Sequence, residues 1–107
     1  QGKTDFNAID GEKFADSIGD SGDFRPQGIG KHYQIPFGAL YNPDFTNLLA
    51  AGRIISAPQG DGWEVARVIP TCALTGEAAG KAAALKVNKG YTFDEIAENH
   101  IDEVVVR

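Results

Sequence analysis

Three observations predict an α/β chain. Residues 47–56, NLLAAGRIIS, are an apolar run without polar alternation, the pattern of a strand covered on both faces. Residues 71–89 are rich in alanine and stop at Gly90, where a glycine would close a helix. Between the two, SAPQGDGWEV carries the glycines and the proline of a loop, so a buried strand, a loop and a helix follow one another.

The remaining elements follow in chain order. Residues 1–30 are rich in glycine and aspartate; FADSI reads as a helical turn or a bend, and GDSGDFRPQGIG as loop. KHYQIPFGAL alternates crudely and holds Pro36, which suits an edge strand or an extended segment. YNPDFTN is a turn, and VARVIP a short extended stretch ending at Pro70. Thr71 is the expected N-cap of the long helix. A second, shorter helix should follow the capping-box pair Thr92 and Glu95, with Tyr91 and Ile96 placed as a hydrophobic staple. EVVVR closes the chain as a short strand or an unpaired tail.

Composition limits what these elements can do. At 107 residues the chain is one small domain at most. A formal charge of −5 and the lack of a basic stripe argue against a nucleic-acid partner. The single cysteine, Cys72, excludes an internal disulfide and points to a reducing compartment, which favours the cytoplasm. No apolar run reaches the roughly 18 residues of a membrane span. His32 and His100 stand in no metal-ligand spacing, so no metal is expected.

Within the long helix Cys72, Gly76 and Gly80 recur at intervals of one turn, followed by Ala83 and Ala84. Each interior glycine costs a helix about 1 kcal/mol relative to alanine, so a close approach is expected on this face. Either another backbone packs there, or a flat ligand lies across the start of the helix. Glu77, Lys81 and Lys86 oppose a membrane-dimer reading of the glycine spacing. The first amides of the helix and its dipole favour an electron-rich partner.

The series YQIPFGAL, NLLAAGRIIS and ARVIPTCALTGEAAGKAAAL, in that order, resembles the C-terminal part of the FAD-dependent oxidoreductase family, within the larger glutathione-reductase-like flavoprotein group. With FADSI upstream, the resemblance covers roughly residues 14–92. It implies a C-terminal fragment of an FAD-binding Rossmann-like domain, with a buried strand and a following helix, plus part of a β-rich substrate domain. Residues 1–46 would be the loop-rich substrate-domain segment and residues 47–107 the C-terminal part of the FAD-binding domain. The cofactor implied is FAD in the full-length protein, and the partner is the remainder of the parent polypeptide, with a small-molecule substrate.

By the same resemblance, Gly52 lets the backbone approach the cofactor near its ribityl chain, and Arg53 follows at the mouth of the strand. The amides opening the helix at Pro70, Thr71 and Cys72 face the pyrimidine edge of the isoalloxazine ring, where negative charge gathers on reduction. Arg67 contacts flavin or substrate from the preceding loop, or else forms a surface ion pair. Cys72 is a small packing residue or a thiolate of lowered pKa.

Two departures from the family pattern bear on function. Many relatives have a histidine where this chain has SAPQGDGWE, and no catalytic residue is assigned. There is no G-x-G-x-x-G, the loop that cradles the pyrophosphate. The chain is therefore expected to be a C-terminal fragment of a longer protein. A non-catalytic binding or interaction module, keeping the helix without the chemistry, is the other reading.

Overall fold

The computed structural model describes residues 2–22, 31–57, 60–66 and 69–106. Among these residues two strands, β1 (Ser17–Gly22) and β2 (His32–Pro36), form an antiparallel pair, and three helices follow: α1 (Asp61–Ala66), α2 (Ile69–Lys89) and α3 (Phe93–Asn99). Single 3-10 turns lie at Phe37–Ala39, Gly52–Ile54 and Ile101–Glu103.

β2 forms where the sequence suggests an extended segment, and Pro36 ends it. β1 replaces the bend expected around FADSI. Its register sets Asp20 opposite Gln34, Ser21 opposite Tyr33 and Gly22 opposite His32, with an irregularity between Ser17 and Asp20. What makes a strand of so polar a stretch is tertiary: Ile18 is completely buried, Ser21 is buried, and the strand lies against α2.

The buried strand predicted for residues 48–55 is not formed. Leu48 is 57% exposed and Ile54 75% exposed. The stretch is held by isolated bonds, with the Ala50 N–H donating to the Leu40 carbonyl at 2.7 Å and the Ser56 N–H to the Ala39 carbonyl at 2.8 Å. A strand covered on both faces needs continuous ladders on its edges. Here the extended path breaks at Gly52, whose φ of +72° is a left-handed value suited to glycine.

α1 also differs from expectation, occupying part of the stretch read as loop and extended chain. Gly62 explains its position. A Cβ at Gly62 would collide with the Phe6 carbonyl oxygen and lie 3.0 Å from the Asn7 Cα, so only glycine lets this helix rest on the N-terminal segment. That segment is itself threaded through the fold: the Lys3 N–H donates to the Tyr41 carbonyl at 2.8 Å and the Phe6 N–H to the Ser56 carbonyl at 2.8 Å.

α2 begins at Ile69, two residues before the expected cap, so Thr71 is a helical residue. Gly90, at φ +74°, follows its end, and its N–H donates to the Lys86 carbonyl at 3.0 Å. The face turned to the core carries Thr71, Thr75, Ala78 and Ala82, all completely buried. The face of Gly76 and Gly80 is the opposite of what the spacing suggests. Among the described residues a Cβ at either would meet nothing within 4 Å, so neither glycine serves a close approach to them.

α3 begins as the sequence predicts. The Thr92 hydroxyl accepts from the Glu95 N–H at 3.1 Å, and the Glu95 carboxylate accepts from the Thr92 N–H at 3.1 Å. Phe93 packs with Phe37 and Tyr41 at ring separations of 6.4 and 5.6 Å, joining α3 to the turn after β2. Burying aromatic side chains of this kind contributes about 1.5–3 kcal/mol each. The C-terminal segment returns to β1, where the Val106 N–H donates to the Ile18 carbonyl at 2.8 Å. No helix among the described residues is long and apolar enough to cross a membrane.

Candidate functional site

The structure brings Gly52 and Cys72 together. A Cβ built on Gly52 would lie 3.6 Å from the Cys72 Sγ, so the turn at Gly52–Ile54 sits directly on the first turns of α2. The left-handed φ of Gly52 is what calls for glycine; a Cβ there would make only an ordinary contact with Cys72. The opening amides of α2 have no intrahelical acceptors, as at any helix start, and carry the positive end of the dipole. Pro70 stands in that first turn, where the missing N–H costs no helical hydrogen bond.

Thr71 does not offer its side chain to a ligand. It is completely buried, and its Oγ1 lies 2.6 Å from the Ser21 Oγ in a hydroxyl pair between α2 and β1. Cys72 is half-buried, with its Sγ 3.9 Å from the Ala66 carbonyl oxygen across the α1–α2 junction. Arg53 lies inside the Gly52–Ile54 turn, beside Gly52. Arg67 lies outside the described residues, as do the side chains of Arg53 and Pro70.

Thr75, which the sequence reading passed over, is the organising residue. Its hydroxyl donates to the Thr71 carbonyl at 2.9 Å, one helical turn back, and accepts from the Gly52 N–H at 2.8 Å. It is completely buried. The signal was present as two threonines one turn apart in an alanine-rich helix, but a pair of hydroxyls at that spacing more often bonds only to its own backbone.

A groove of about 520 Å³ runs along the other side of the 48–57 segment, with Tyr41, Phe45, Leu48 and Ile54 on its walls and Asp5 and Ser56 at its polar end. The Ser56 hydroxyl donates to the Asp5 carboxylate there. Gly52, Thr71 and Cys72 do not line it. The groove and the Gly52–α2 junction are therefore two faces of one segment.

Every described buried side-chain polar atom has a hydrogen-bond partner, so the junction is internally satisfied. What it can present is backbone: the Gly52–Ile54 turn and the opening amides of α2. Residues 5–105 match the FAD dependent oxidoreductase family, and the chain belongs to that family. FAD is accordingly the cofactor of the full-length protein. No curated protein and no solved structure matches the chain significantly.

Proposed function

We propose that this chain is the C-terminal section of an FAD-dependent oxidoreductase of the glutathione-reductase-like group and supplies the ring-side part of its flavin site. The observation that carries the reading is the contact of Gly52 with the first turns of α2. In this arrangement the Gly52 backbone lies beside the cofactor, and the amides of Thr71 and Cys72 hold the edge of the ring that becomes negative. Arg53 and Arg67 flank these positions in sequence and add cationic charge for flavin or substrate. The flavin, when bound, supplies the electron-accepting chemistry; the chain binds it, orients it and excludes water from one of its edges.

Residues 47–107 belong on this reading to the FAD-binding domain, and residues 1–46 to a β-rich substrate domain. The exposed apolar residues Leu48 and Ile54 are the parts of the expected strand that neighbouring strands of the parent protein would cover. A cytoplasmic location is the reading that the low cysteine content of the sequence favours.

The test is a pair of FAD titrations. The longer polypeptide containing this sequence should bind FAD tightly. The 107-residue chain alone should bind far more weakly than the micromolar range, about −8 kcal/mol, because no G-x-G-x-x-G loop is present to hold the pyrophosphate. Tight binding by the chain alone would refute the division of labour, and a longer polypeptide indifferent to FAD would favour a non-catalytic module.

A further inference from the structure

We propose that Asp10 is a site of spontaneous isomerisation to isoaspartate, and that the fold protects the identical dipeptide at Asp61–Gly62. The inference is independent of the flavin reading. Aspartate followed by glycine occurs at these two places in the sequence. The chemistry is intramolecular: the Gly11 nitrogen gives up its proton and bonds to the Asp10 Cγ, and the carboxyl hydroxyl leaves with that proton as water. The five-membered succinimide then takes up one water. Opening at the side-chain carbonyl restores aspartate, whereas opening at the main-chain carbonyl leaves the backbone running through Cγ, which is isoaspartate. Water is the sole co-reactant, and glycine hinders the approach least of all residues because it has no Cβ.

The structure separates the two dipeptides. Asp10 and Gly11 are exposed at the centre of a turn closed by one bond, from the Glu12 N–H to the Ile9 carbonyl at 3.1 Å. Gly11 has a φ of +82°, and a Cβ there would meet nothing within 4 Å, so the turn has room to rearrange. Among the described residues no acceptor holds the Gly11 N–H. The Asp10 carboxylate accepts from the His32 N–H at 3.2 Å, an exposed bond that water can replace. A surface turn with so few ties opens at little cost in free energy. Gly62, in contrast, is buried within α1, and a Cβ there would collide with the Phe6 carbonyl oxygen. Bringing the Gly62 nitrogen over the Asp61 carboxyl requires α1 to leave its helical angles, and the backbone of Phe6 and Asn7 stands against that movement.

Isomerisation at Asp10 acts on the sheet. It lengthens the backbone by one methylene and moves the carboxylate, so the bond to the His32 N–H is lost. His32 opens β2 and pairs with Gly22 at the end of β1, so the loosening reaches the open end of the strand pair.

The test is incubation of the full-length protein in heavy-oxygen water at neutral pH, followed by digestion and peptide mass mapping. Each succinimide that reopens fixes one heavy oxygen atom, whichever carbonyl the water attacks. The peptide holding Asp10 should gain label and split into two chromatographic forms. The peptide holding Asp61 should label at least about tenfold more slowly, because its reaction waits for α1 to open. In urea the two should label alike. Asp10→Glu, which could close only a six-membered ring, should remove the label from the first peptide. Amide exchange at His32 should be faster in the isomerised protein than in the fresh one. An unlabelled Asp10, or an Asp61 that labels as fast in the folded protein, would overturn the proposal; unchanged exchange at His32 would overturn its link to the sheet.

Discussion

The Tyr41 phenol donates to the Asp94 carboxylate across 2.5 Å, and Lys3 reaches the same oxygen at 2.8 Å. Three parts of the chain meet there: the N-terminal segment, the turn region after β2, and the first turn of α3. Hydrogen bonds from Lys3 and then from Tyr41 hold the Asp94 carboxyl below its ordinary value of 3.8. Burial, reinforced by the bond to Asp94, pushes the Tyr41 phenol above its ordinary value of 10.0.

The signs give a pH prediction. A depressed carboxyl stabilises the fold above its unfolded pKa, and that contribution is lost as pH falls through the folded value. The raised phenol contributes below pH 10.0 and its share is lost as pH rises through the higher folded value. Asp94→Asn should therefore flatten the decline of the urea midpoint on the acid limb. Because Lys3 and Asp94 are 39% and 46% exposed, solvent screens the ion pair and the whole effect should be small. An acid limb identical to wild type would contradict this account.

Gly62→Ala should be among the more damaging single-methyl changes in the chain. The added carbon meets the backbone of Phe6 and Asn7, which cannot rotate away as a side chain could. The expected loss is about 1–3 kcal/mol in urea unfolding, despite alanine's better helix propensity. A neutral result would show that α1 does not rest on the N-terminal segment as described.

Gly80→Ala should behave oppositely. With nothing within 4 Å of its Cβ, it should gain up to about 1 kcal/mol of helix propensity in this chain, and Gly80→Leu should not lower the urea midpoint. A lower midpoint for Gly80→Leu would mean that this face is packed after all.

The Ser21–Thr71 pair should behave as one unit. Both residues are buried and their oxygens are 2.6 Å apart, so removing either hydroxyl takes a close buried partner from the other, and Ser21 keeps only its 3.4 Å bond to the Gly22 carbonyl. A double-mutant cycle with Ser21→Ala and Thr71→Val should give a coupling energy of about 0.5–3 kcal/mol, with the double variant less damaged than the sum of the singles. Simple additivity would refute the pairing.

What was legible in the sequence was local. The Thr92 and Glu95 capping box, the Gly90 stop of α2 and the edge strand or extended segment holding Pro36 each depend on a few neighbouring residues, and each stands in the structure, the last of them only as far as Pro36. The misreadings came from long-range causes. β1 is polar in composition and becomes a strand because Ile18 and Ser21 bury against α2. α1 depends on a close approach between Gly62 and Phe6, which no local pattern reveals. The apolar run at 48–55 has the composition of a buried strand, but a strand is made by its neighbours, and here Gly52 turns the chain toward Thr75 instead. Gly52 and Cys72, named from the family resemblance, lie in contact; Thr75 and Ser21, whose hydroxyls bond to the Gly52 N–H and to Thr71, act across the fold and leave no local pattern.

The central claim is that the Gly52–Ile54 turn and the start of α2 face the flavin ring. Hydrogen exchange of the full-length protein with and without FAD tests it most directly. FAD should slow exchange at the amides of Arg53, Ile54, Thr71 and Cys72, while β1 and β2 exchange alike in both states. Tight FAD binding that leaves those four amides unprotected would contradict the account.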